Sequence, residues 1–169
     1  MVWLHPIPIV SRERRLRGDQ GMPKGEVSMK RVTGIGGVFF KSDDPEKLYR
    51  WYEKHLGIRR EHGFVSFHWR EAEDPRKEGE TAWAIFSRNS KKFDPSTAGH
   101  MMNYRVDDMD ALLAALKEEG VSIDPHREDG EYGRFAWIMD SEGNRIELWE
   151  PPKEDANPGE TSTPGEQAG

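Results

Sequence analysis

Ser42-Asp43-Asp44-Pro45-Glu46-Lys47-Leu48, leading to Leu56-Gly57-Ile58, and Val106-Asp107-Asp108-Met109-Asp110-Ala111-Leu112, leading to Gly120-Val121, are two versions of one pattern. In each, an apolar run ends in Asp-Asp, a helical stretch follows, and a glycine stops it. The paired aspartates are offset by 64 positions and the stop glycines by 63. A near-constant offset over a whole strand–helix unit indicates duplication. Two similar halves then share a pseudo-two-fold relation, with a cleft between them.

Outward from these landmarks, Val32 to Phe40 reads as the first strand. Asp44 is the helix N-cap, Pro45 suits the first turn, and Gly57 suits the left-handed stop position. Leu48, Trp51, Tyr52 and Leu56 fall on one helix face. Phe64 to Trp69 and Thr81 to Phe86 read as strands, and Asn89 to Gly99 as the inter-module linker. In the second half, Met101 to Val106 is a strand. Asp108 caps a helix that buries Leu112, Leu113 and Leu116. Arg134 to Met139 and Arg145 to Trp149 are strands joined by the turn Asp140 to Asn144. One helix followed by a strand meander in each half gives an α+β fold.

Of 169 residues, 34% are hydrophobic and 33% charged, with no cysteine and a net charge of −6. The lack of cysteine excludes disulfides and thiolate sites, and a cytoplasmic location is expected. The acidic balance argues against nucleic acid as a partner. No apolar run is long enough for a transmembrane helix. Residues 1–29 read as a flexible N-terminal extension and 153–169 as a disordered tail poor in apolar side chains. The folded domain spans 30–152, with module one at 30–90 and module two at 99–152.

The run Asp140-Ser141-Glu142-Gly143-Asn144-Arg145-Ile146-Glu147-Leu148-Trp149-Glu150-Pro151, with the two Asp-Asp helix starts, resembles the vicinal oxygen chelate superfamily. That superfamily includes glyoxalases, bleomycin-resistance proteins, extradiol dioxygenases and methylmalonyl-CoA epimerase. Ser141 departs from the proline often found there. The resemblance covers about residues 31–152 and implies two βαβββ modules forming a curved, incomplete barrel around a cleft. It also implies homodimerisation and, in the metal enzymes, a divalent ion held by His, Glu or Gln on the first and last strand of each module.

Carried over position by position, the fourth ligand falls on Glu147, which fits. The third falls on Met101, the first on Gly37 and the second near Trp83, none of which suits a hard divalent ion. His100, next to Met101, would need a one-residue slip that flips the side chain to the other face; a shifted ligand set would join it with Glu147 and His68. No metal or other cofactor is therefore expected; if one is held, Glu147 and His100 are its donors. Strand alternation assigns Phe39, Trp83, Met101, Asn103, Arg105, Trp137, Glu147 and Trp149 to a ligand-binding cleft. Glu147 is the best catalytic candidate, a carboxyl whose pKa a dry aromatic cleft raises. The bland alternative for it is an ion pair with Arg105 or Arg134. Two function classes follow. One is a metal-free, bleomycin-resistance-like binding protein for a flat or cationic small molecule. The other is a metal-dependent lyase, isomerase or dioxygenase with a shifted ligand set.

Overall fold

The computed structural model describes residues 30–72 and 74–152. The predicted extension 1–29 and tail 153–169 lie outside the described residues.

The chain runs β1 (Gly34–Ser42), α1 (Pro45–Leu56), β2 (Val65–Arg70), β3 (Glu78–Ser87), β4 (His100–Arg105), α2 (Met109–Glu118), β5 (Ser122–Gly130), β6 (Gly133–Met139) and β7 (Arg145–Glu150). All seven strands form one mixed sheet in the order β2-β3-β1-β4-β7-β6-β5. The sheet stays open and does not close into a barrel. β1 is parallel to β3, and β4 is parallel to β7. The two halves meet where β1 pairs antiparallel with β4.

The duplicated caps adopt the same geometry. Asp44 accepts the Lys47 N–H and Asp108 the Ala111 N–H, each at 2.9 Å. Each aspartate satisfies one of the amide donors left free at a helix start. Gly57 takes φ of 69° and its N–H reaches the Glu53 carbonyl, so the predicted stop is a left-handed cap.

The first half holds one strand fewer than the second. Module two is βαβββ, whereas module one is βαββ. The stretch equivalent to β5 is reduced to a single bridge between Glu61 and Phe64. β5 itself was not located in the residue pattern, although the family resemblance implied a third strand after the helix. It is an edge strand of mostly polar residues, and Pro125 falls in the gap where its register against β6 shifts.

Both helices lie on the same face of the sheet. Under α2, Val106, Met109, Leu112, Leu113, Ala136 and Leu148 form one core. Under α1, Tyr49, Val65 and Ile85 form another, with Phe40, Tyr52 and Trp83 against them. The buried stripe of α1 is therefore Leu48, Tyr49 and Tyr52. Trp51 and Leu56, predicted to share it, are about half exposed, at 49% and 59%. Tyr49 turns inward because its hydroxyl accepts the Ile85 N–H at 2.8 Å and donates to the Gly63 carbonyl at 3.2 Å.

Candidate functional site

The opposite, helix-free face carries the chemistry. Its central row runs Ala82, Gly37, Asn103, Glu147 and Trp137 across β3, β1, β4, β7 and β6, each residue in register with the next. Above this row lie Ala84, Phe39 and Met101; below it lie Arg105 and Trp149. Sequence alternation and strand pairing therefore bring Phe39, Met101, Asn103, Arg105, Trp137, Glu147 and Trp149 to one face.

Trp83 does not join them. It sits one register step from Ala82, on the helix side, with its ring 4.7 Å from Tyr52 and 5.1 Å from Phe40 between centroids. The residues of β3 that face the site are Ala82 and Ala84, so the second ligand position carries only a methyl group. His100 pairs with Phe40, which packs under α1, so His100 also belongs to the face opposite Glu147. A donor set joining those two residues is not what this fold presents.

Glu147 is largely enclosed and meets two neutral donors. The Asn103 amide donates to one carboxylate oxygen at 2.6 Å and the Trp137 indole N–H to the other at 2.9 Å. Burial pushes the Glu147 carboxyl above its ordinary value; the bonds from Asn103 and Trp137 pull it down but do not win. The alternative ion pair is not formed. Arg134 instead pairs with Asp110, Asp129 and Glu150, and Arg105 has no carboxylate partner among the described residues.

The space beside Glu147 is filled from two directions. The linker folds onto the helix-free face and drives Phe93, 0% exposed, between Met101, Trp137, Phe39, Phe86 and Phe135. Arg145 fastens this linker by donating to the Asp94 carbonyl while pairing with Asp124 at 2.8 Å. The glycines are filled too. A side chain at Gly37 would come within 2.6 Å of the Phe39 ring, and one at Gly36 would meet the Asn103 amide and, at 2.8 Å, the Trp149 ring. Gly36 and Gly37 thus make room for neighbouring side chains.

Tested against a divalent ion, these positions offer one carboxylate, one buried thioether at Met101, one methyl group and no side chain at Gly37. Magnesium, manganese, zinc and ferrous ions take several fixed N or O donors, and that set is not present in this row. Among the described residues, no three His, Asp or Glu side chains are grouped to hold a metal ion.

Lower on the same face, a cavity of about 590 Å³ opens between the modules. His68, Gly79 and Glu80 line it from module one, and Arg105 and Trp149 from module two. The Trp149 indole donates to the Tyr132 carbonyl at 2.8 Å and its ring stacks on Phe135, so it is a fixed wall. Glu147 does not line this cavity.

Three residues escaped the sequence reading. Phe93 is a lone aromatic in a polar linker, with no periodicity to mark it. Gly79 gives the Trp69 ring its place, and no pattern announces that. Glu150, 8% exposed, accepts the Met109 N–H at 2.8 Å at the start of α2. A carboxylate two residues beyond the end of the terminal Glu-Leu motif was its only signal.

Comparisons with known proteins agree with this architecture. The sequence model described as the Glyoxalase/Bleomycin resistance protein/Dioxygenase superfamily matches residues 34–148. No curated protein matches. Among solved structures, a variant of the Streptomyces coelicolor methylmalonyl-CoA epimerase in complex with 2-nitronate-propionyl-CoA is 17% identical. The match covers 75% of this chain and 99% of that one, with a TM-score of 0.55. Methylmalonyl-CoA epimerase from Mycobacterium tuberculosis is 25% identical over 72% of this chain and 89% of that one, with a TM-score of 0.47. The first of these speaks to the fold, and the second is too loose to add to it. With the family model spanning both modules and the seam between them, the chain belongs to the Glyoxalase/Bleomycin resistance protein/Dioxygenase superfamily.

Proposed function

We propose that this protein binds a small molecule in the cleft between its modules and does so without the divalent metal of its metal-dependent relatives. The observation that carries the reading is the cavity on the helix-free face, walled from both modules and by the fixed Trp149 ring. Most of its lining is charged, with four glutamates, Asp107, two lysines and Arg105 around the Trp149 ring, so polar contacts rather than apolar walls would orient a ligand there. The metal-free part is supported by the donor chemistry of Gly37, Ala82, Met101 and Glu147. One carboxylate does not hold a divalent ion against water with useful affinity, because ligand number sets the binding.

Homodimerisation, implied by the family resemblance, and a cytoplasmic location, expected from the absence of cysteine, belong to the same reading. No described helix is long and apolar enough to cross a membrane. Sedimentation of the full chain at a monomer mass would remove the dimer from the proposal.

Two measurements test the core of it. Titration calorimetry with zinc, manganese, nickel and ferrous ions is expected to show no stoichiometric binding, and a chelator is expected to leave the melting temperature unchanged. Stoichiometric micromolar binding that disappears in Glu147→Gln overturns the metal-free reading. Saturation-transfer NMR with a mixed fragment set is expected to yield binders that weaken in Trp149→Ala. Binders indifferent to Trp149 and His68 would move the site elsewhere.

A further inference from the structure

Three partly buried arginines lie among the described residues: Arg105, Arg134 and Arg145. Arg134 pairs with Asp110 at 2.8 Å, and Arg145 with Asp124 at the same distance. Arg105 makes no ion pair and donates no side-chain hydrogen bond among the described residues. Its Nε is buried without a partner. Its one recorded side-chain contact of note is with the Trp69 ring, at 5.9 Å from the centroid. A guanidinium carries five donors in a fixed fork and keeps its charge at all ordinary pH values. Leaving such a donor dry and unpaired is costly.

Arg105 lines the inter-module cavity. The carboxylates that line it with Arg105 are mostly committed elsewhere. Glu78 pairs with Arg70, and Glu80 accepts the Ser66 hydroxyl at 2.6 Å. Glu150 caps α2 and pairs with Arg134, and Glu71 faces Lys77 at 4.0 Å. Asp107 also lines the cavity, two residues beyond Arg105, and is exposed to water.

We propose that the cavity takes an organic anion, whose carboxylate or phosphate group is held by the Arg105 guanidinium with its body against the Trp149 ring. This rests on the reading of the cleft as a ligand site, and it replaces the cationic ligand that the acidic composition suggested. The overall charge of −6 sets the distant field. The unpaired fork inside the cavity sets which ligand end is bound. The Arg105 guanidinium carbon lies over the Trp69 ring, and a guanidinium fork suits a planar bidentate contact with a carboxylate or phosphate.

The test uses the full chain and four probes sharing one ring: benzoate, phenyl phosphate, benzamide and benzylamine. Binding is followed by calorimetry and by tryptophan fluorescence. Benzoate, phenyl phosphate or both are expected to saturate below about 10 mM while benzamide and benzylamine do not. The preference between the two anions tells carboxylate from phosphate ligands. Arg105→Met, checked for folding by circular dichroism, is expected to weaken the anion on the order of 10- to 100-fold. Arg105→Lys should recover part of that loss, because it restores charge without the fork. Arg50→Met, a change of equal charge on the exposed face of α1, should leave the affinity as it was. If benzamide or benzylamine binds as well as benzoate, the cleft reading survives and the anion inference falls. It also falls if Arg105→Met binds the anions undiminished. No saturation by any probe removes both.

Discussion

Glu147→Gln is expected to stabilise this protein at neutral and alkaline pH. In the wild type, the carboxylate is held in a dry site by two neutral donors, Asn103 and Trp137. On the far side of the same amide, Asn103 Oδ1 is buried with no partner. A glutamine removes the buried charge and offers both a donor and an acceptor. The Trp137 N–H then reaches the new carbonyl oxygen. A turned-over Asn103 amide accepts from the new NH₂ group while its own NH₂ takes the orphaned place, so the number of unpartnered groups is unchanged. Against this, two charge-assisted hydrogen bonds become neutral ones, roughly halving each. The raised Glu147 pKa shows that burial outweighs those bonds in the charged form. Removal of the buried charge is the remaining gain, expected on the order of 1 kcal/mol at pH 8, a rise in Tm of about 2–6 °C.

The sign with pH follows from linkage. The folded chain holds the Glu147 proton to higher pH than the unfolded chain does. The contribution of this group is therefore fully present below the unfolded value, about 4.3, and is lost as pH rises through the folded value. The advantage of Glu147→Gln should accordingly be small at pH 4 and grow to a plateau above the folded pKa. Urea unfolding of both proteins across pH 4 to 8 measures this. A glutamine variant less stable than wild type at pH 8 would refute the desolvation argument, and so would a difference that does not change with pH.

Phe93→Ala should destabilise by about 3–5 kcal/mol, since a fully buried ring leaves the face it fills, whereas Phe93→Leu should cost roughly a third of that; a loss under 1 kcal/mol by urea unfolding would mean the linker is not seated as described. Gly133→Ala should cost at least about 2 kcal/mol, because φ is +107° and the new methyl would collide with the Glu150 carbonyl; thermal unfolding near wild type would contradict this. Asp108→Ala should cost about 1 kcal/mol through loss of the α2 cap, measurable in the same assay. Trp83→Phe should lower stability yet leave the affinity for whichever anion binds unchanged, because its ring packs under α1; a loss of affinity matching that of Arg105→Met would return Trp83 to the cleft.

How much of this was legible in the sequence differs from element to element. Asp44 and Asp108 cap by local chemistry, which spacing alone reveals, and they fixed the count back to Gly37 and Met101. Trp83 was misplaced because β3 reads Ala82-Trp83-Ala84-Ile85-Phe86, apolar at every position. Helix α1 covers one face of that strand and the linker covers part of the other. With both faces covered, the period-2 signal that separates them is lost. β5 was not located for the opposite reason: apart from Ile123, which packs against the α2 core, it is a mostly exposed edge strand of polar residues and gives no apolar alternation. The stripe of α1 was misread because Tyr49 is drawn inward by two hydrogen bonds to distant backbone, a tertiary effect. Whether Arg105 finds a partner is equally a tertiary fact, since its strand neighbours say nothing about which carboxylates are already engaged.

The seam between β1 and β4 has a consequence for how the duplicated chain survives. The halves are joined by the backbone pairing of β1 with β4, with side chains of both packed around Phe93 on one face. At that seam the Thr33 hydroxyl bonds to the Arg105 carbonyl, 72 residues away. Closing so long a loop costs entropy before the pairing returns any stability, so assembly should be slow and all-or-none. Either half cut free would expose a full row of unpaired amides along β1 or β4, a template for adding strands from other chains. Duplication gave this protein two similar halves, and the shared sheet then removed their independence: separated, each becomes a seed for aggregation.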